Sequence, residues 1–319
     1  MKKILACLVL VGFLFQMTSC YRYVFYYLYY DAIQTEEQTM PQTHFTYQAE
    51  TKTTLESGAP LESYIVYNGV TDALPSEGSF RPAYRQGICR NFKGKPVVVL
   101  LFMDDEESVW TAEEVESFTQ ENVMPALGFL KQEAERWGVE LDFTVESYST
   151  ATTEYTMDFF GVMPTESDEA VKEDLFEQAA GDLGFASDWV LYSYMQSQYP
   201  SEEIIFLTIL NKDGRSFAVK NGYKGFNRHV EHCVIYGKTS WYPAQTVAHE
   251  ILHLFGAEDL YEEVVTTGVF EIAQNYYSDD IMLNLLPNWK NKVGDYTAYA
   301  IGWTHEIPDV CYLDDWYID

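Results

Sequence analysis

His249-Glu250-Ile251-Leu252-His253-Leu254-Phe255-Gly256-Ala257-Glu258-Asp259 is the stretch that decides how this chain folds and what chemistry it can carry. Two histidines at i and i+4 leave a helix from one face, a turn apart, so both imidazoles can reach a single ion. Glu250 points beside that face, where it can hold a water on the ion and serve as a general base. Val247, Ala248, Ile251, Leu252, Leu254 and Phe255 surround these residues with apolar groups, as on a helix that crosses a core. Gly256 falls where a left-handed C-cap stops such a helix. Asp259 follows three residues later, where a chain turning back under the ion would deliver a third ligand. A bare H-E-x-x-H arises by accident in roughly one chain per hundred of this length. The apolar setting and the glycine stop lower that figure, so the stretch predicts a zinc site.

Written out, the pattern is H-E-x-x-H-x-x-G-x-x-D. It resembles that of the metzincin zinc peptidases, H-E-x-x-H-x-x-G-x-x-H followed by a methionine turn. Aspartate in third place resembles the snapalysin-type members, and Asp279-Asp280-Ile281-Met282 looks like the methionine turn. The resemblance implies that His249, His253 and Asp259 ligate Zn2+, that Glu250 is the base, and that Met282 lies beneath the metal as an apolar floor. It is tight over about 242–303 and only architectural before that. Asn284 stands where some metzincins place a tyrosine two residues past the methionine, so no tyrosine ligand is expected. The implied fold is α/β: a mixed, mostly parallel sheet with an antiparallel edge strand, an active-site helix, and a small irregular C-terminal part. The implied activity is endopeptidase, with a peptide or protein substrate extended along the edge strand.

Other residues compete for these roles. Glu271 offers a gluzincin alternative, with a downstream glutamate as third ligand, and His305 is a more distant candidate. Glu258, beside Asp259, could hydrogen-bond a ligand histidine. His229 and His232 precede the active helix and could face an oxyanion. Cys89 invites comparison with an inhibitory pro-segment cysteine, although Gly87-Ile88-Cys89-Arg90-Asn91 does not match that motif. Two non-peptidase classes also stand: a binding protein that keeps the fold without cleaving, and an envelope lipoprotein that binds protein or glycan.

Residues 1–20 read as an export signal. Lys2 and Lys3 form a basic start, 4–15 is an apolar run too short to span a bilayer, and Met17-Thr18-Ser19-Cys20 resembles a bacterial lipobox. On that reading Cys20 is lipidated and anchors an exported protein at the cell envelope, in the outer membrane or at the cell surface. The net charge of −29 becomes more negative when two lysines and no acid leave with the signal. Such a chain is repelled by nucleic acid and anionic lipid head groups, so neither is an expected partner. Of five cysteines, Cys7 leaves with the signal and Cys20 is taken by lipid. The odd remainder, Cys89, Cys233 and Cys311, allows no disulfide framework, and none has C-x-x-C spacing.

The remaining pattern supports an α/β domain over 92–319, with an upper part 92–255 and a lower part 256–319. Residues 21–91 read as a tether and a small extended or β-rich segment, with 63–67 as its clearest strand. Strands are expected over 96–103, 139–147, 203–210, 215–219 and 233–237. Helices are expected over 111–137, 168–183, 188–199, 243–255 and 295–303, whereas 261–278 shows no clear period. Strands alternating with helices imply a mostly parallel sheet covered by helices.

Overall fold

A computed structural model of the chain describes residues 50–52, 87–163, 169–200, 203–220, 230–239, 242–306 and 308. The chain divides into two units, Met1–Gln42 and Thr43–Asp319, and every described residue belongs to the second. Residues 1–20 with Cys7 and Cys20, the 63–67 strand, His229 and Cys311 lie outside the described residues.

The sheet follows from the apolar runs. Strands β1 (Glu50–Lys52), β2 (Val97–Met103), β3 (Thr144–Ser149), β4 (Ile204–Leu210), β5 (Phe217–Val219) and β6 (His232–Tyr236) form one sheet in the order β1-β3-β2-β4-β6-β5. All neighbours are parallel except β5, which runs antiparallel to β6 at one edge. The expected mixed, mostly parallel α/β sheet with an antiparallel edge strand is therefore present. Every residue of β2, β3, β4 and β6 is buried, as strands covered on both faces must be. Strand β5 is half-exposed along its length.

Helices connect these strands: α1 (Ala112–Phe118) and α2 (Met124–Arg136) lead from β2 to β3, and α3 (Glu169–Asp182) and α4 (Asp188–Gln198) from β3 to β4. The first crossover steps to one side of β2 and the second steps back across it. Crossovers between parallel strands are right-handed as a rule, and opposite steps of that hand carry the two helix pairs to opposite faces of the sheet. After β6 come α5 (Pro243–Leu254), α6 (Thr267–Tyr276) and α7 (Asp295–Ala300). Helix α5 packs against α2, β5 and β6, which sets it on the α2 side beside the open edge.

Several boundaries differ from the sequence expectation. The long 111–137 helix starts at a Thr111–Glu114 capping box but is interrupted by a π turn, Thr119–Val123. Pro125 lacks the N–H that would bond the Glu121 carbonyl, and the Met124 N–H bonds Thr119 O, five residues back. The strand expected from 139 begins at Thr144; before it, Leu141 makes only an isolated bridge with Gly94. Helix α6 was not legible in the 261–278 stretch, and of its residues only Val269 and Ala273 are buried. Strand β1, an unheralded Glu-Thr-Lys tripeptide within 21–91, pairs with β3.

Candidate metal centre

Helix α5 places the two histidines. Pro243 sits in its first turn, where a missing N–H costs nothing, and its inner face buries Ala244, Val247, Ala248, Ile251, Leu252 and Leu254. Gly256 ends it with φ of 105°, a conformation open to glycine and strained for other residues. Gly256 N–H then donates to His253 O at 3.0 Å and Ala257 N–H to Leu252 O at 3.1 Å, the paired bonds of a Schellman motif. That turn swings the Ala257 carbonyl onto the His253 ring, whose Nδ1 lies 2.8 Å from it. Phe255, capping the same helix, stacks on Phe92 at 4.2 Å, and Phe92 stacks in turn on Trp303 at 5.5 Å.

His249 Nδ1 lies 3.0 Å from Ile281 O. A carbonyl can only accept, so in both histidines Nδ1 carries the hydrogen, which fixes the tautomer. When neutral, each ring then aims an Nε2 lone pair inward. The two Nε2 atoms are 3.2 Å apart and lie 3.0 Å (His249) and 3.2 Å (His253) from Asp259 Oδ1. That buried oxygen accepts no well-aligned hydrogen bond. Three potential ligand atoms therefore converge around one buried carboxylate oxygen, and a cation held among them, a proton or a metal ion, relieves their mutual repulsion. A tetrahedral ion with ligand bonds of about 2.0–2.1 Å sets neighbouring ligand atoms about 3.3 Å apart. The triangle fits. Among the described residues, His249, Glu250 and His253 form a group whose ligand atoms all lie within 4.8 Å of one another, and it can hold a metal ion.

The electrostatics agree. Burial, the largest influence, works against the His249 imidazolium, but the Asp259 carboxylate and Glu250 outweigh it and lift the group to about 9. Burial likewise opposes the Asp259 anion, yet His253 and His249 hold its carboxyl well below the ordinary value. A field of this sign favours a cation. Glu250 is 6 % exposed; burial raises its carboxyl, with the two histidines pulling it back and Asp259 pushing it up. A buried glutamate with a raised pKa suits a proton acceptor near neutral pH.

Two residues that sequence reasoning missed complete the centre. Tyr261 donates its hydroxyl to Asp259 Oδ2 at 2.6 Å, and Arg215 Nη2 donates to that hydroxyl at 3.2 Å. Burial and the Asp259 charge push the Tyr261 phenol far up, so it keeps its proton and remains a donor. The one available signal was Tyr261's position two residues past Asp259, on the same returning turn.

The Asp280–Met282 turn lies against the centre. Ile281 O holds His249, while the Met282 carbonyl accepts the Leu260 N–H at 3.0 Å, one residue past Asp259. Met282 itself is wholly buried. Asp280, also wholly buried, accepts the Met282 N–H at 2.8 Å, the Gly294 N–H at 3.0 Å and the Thr297 hydroxyl at 2.8 Å. Burial pushes its carboxyl up to about 7 against the pull of these donors.

The competing residues fall elsewhere. Glu271 is exposed on α6 and His305 is exposed beyond α7. Glu258 pairs with Lys220 instead of a histidine. His232 is buried in β6 with its ring 4.7 Å from that of Phe176, a packing position. Cys89 is buried with its thiol toward Ile204 O, and the Glu231 carboxylate grips the Ile88 and Cys89 N–H groups at 2.7 and 3.0 Å. Burial pushes that thiol well up, away from a metal-binding thiolate. No family model matches the sequence, and no curated protein matches it.

Proposed function

We propose that the protein is a zinc-dependent endopeptidase of metzincin type. The observation that carries this reading is the convergence of His249 Nε2, His253 Nε2 and Asp259 Oδ1, with a buried Glu250 beside them. Mixed nitrogen and oxygen donors suit Zn2+, which when bound supplies Lewis acidity toward a peptide carbonyl. Glu250 accepts a proton from the attacking water and returns it to the departing amine. Ile281 O and Ala257 O hold the histidines in their ligating tautomers, and Tyr261 orients Asp259 through its second oxygen. Met282 packs beneath the centre as apolar floor. The half-exposed β5 offers its outer edge to an extended substrate. The lipobox-like Met17-Thr18-Ser19-Cys20 supports action at the cell envelope, from a lipid anchor.

Zinc content and casein hydrolysis, before and after chelation, test the reading together with Glu250→Gln. The variant should keep its zinc and fold while hydrolysis falls by about two to four decades. A protein that binds zinc stoichiometrically and cleaves nothing would instead be a binding protein on the same fold.

A further inference from the structure

The rim of the centre carries an unusual charge for so acidic a chain. Among the described residues, β5 is flanked by two cations, Arg215 before it and Lys220 after it. Lys220 is neutralised by Glu258. Arg215 is exposed, and its hydrogen bond is to the neutral phenol of Tyr261, not to a carboxylate. A guanidinium has five N–H donors, so this bond leaves most of its fork open toward solvent.

Its position is built. Gly214 lies so close to Tyr236 that a β-carbon there would come within 2.3 Å of the ring. On the other side, Ser216 Oγ accepts the Tyr236 N–H at 3.1 Å. Tyr236 thus holds the backbone on both flanks of Arg215, while Tyr261 holds the guanidinium itself. From Nη2 the path to the metal ligand is two hydrogen bonds, 3.2 Å to the Tyr261 hydroxyl and then 2.6 Å to Asp259 Oδ2. An extended substrate advances about 3.3 Å per residue, so side chains one or two residues from the scissile bond come within reach of this fork.

We propose that Arg215 sets substrate specificity by capturing a carboxylate, from aspartate, glutamate or a C-terminus, within two residues of the bond that is cut. The proposal rests on the peptidase reading and names its substrate class: acidic peptides. A planar guanidinium suits two-point binding of a carboxylate, which lysine cannot reproduce.

Cleavage-site mapping on a degenerate peptide mixture comes first, followed by matched peptides bearing glutamate, glutamine or lysine at the favoured position. The zinc-loaded protein should prefer glutamate over glutamine by about tenfold in kcat/KM, mainly through KM. Arg215→Gln should abolish that preference, Arg215→Lys restore only part of it, and Arg215→Glu shift it toward lysine. A purely structural role for Arg215 would slow all peptides alike and lower zinc content, which overturns the proposal. Anisotropy of the same fluorescent peptides on Glu250→Gln reads binding without turnover. Arg215-dependent binding of acidic peptides with no cleavage by the parent protein would sink the peptidase reading and keep this one. Cleavage with no acidic enrichment would do the reverse.

Discussion

Asp259 is the residue on which the assignment turns, because it separates the metzincin arrangement from its rivals. Its Oδ1 faces both Nε2 atoms, whereas Glu271 and His305 are exposed. Asp259→Ala should therefore lower zinc affinity by more than about a hundredfold, beyond the range seen when only an outer partner is lost. Glu271→Ala and His305→Ala should leave zinc content near that of the parent, and Asp259→His should recover part of it. Metal analysis of the four purified variants decides the matter; metal lost in Glu271→Ala and kept in Asp259→Ala would install the gluzincin alternative. His249, Glu250, His253 and Asp259 were legible because helical spacing and one glycine stop are local. Arg215 was not legible: it meets Tyr261 across 46 residues of chain, and only the tertiary fold brings them together.

At the scale of elements, the same locality decides what could be read. Strands β2, β4 and β6 are buried on both faces, so their apolar runs stood out. Strand β1 has no apolar residue, and α6 buries too few to set a period. The π turn depends on Pro125 inside a strong helical pattern, which hides a break of this kind. The C-terminal turn of α5 is the element on which the centre depends most directly, since it both stops the helix and orients His253. Gly256→Ala forces a β-carbon into the left-handed region and should cost about 1–2 kcal/mol of stability. Thermal unfolding with and without zinc should show the variant losing more in the zinc-bound state, since the Ala257 carbonyl would drift from the ring. Equal loss in both states would separate the turn from the metal.

For the molecule as a whole, one prediction follows from a buried charge and one from the proposed lipid anchor. Asp105 is buried at the end of β2, and burial opposes its charge. Lys212 at 2.6 Å, with Met163 N–H and Ser108, outweighs that and holds the carboxyl at about 2. A depressed value means the contribution to stability is present above the ordinary carboxylate value and is lost as pH falls toward 2. Lys212→Met should leave a buried charge unpaired, cost about 3 kcal/mol at neutral pH and move the acid-unfolding midpoint upward. An unchanged midpoint would show the pair to be inert. Cys20→Ser should move the protein from the membrane to the soluble exported fraction, checked by fractionation and detergent dependence. The Phe255–Phe92–Trp303 stack reaches further. Trp303 Nε1 donates to Phe92 O at 2.6 Å across 211 residues, and the Phe92 ring lies between Trp303 and Phe255, the C-cap of α5. Contacts this distant in sequence close late in folding. A growing chain therefore cannot complete the stack against the Phe255 cap of α5 until Trp303 has been added.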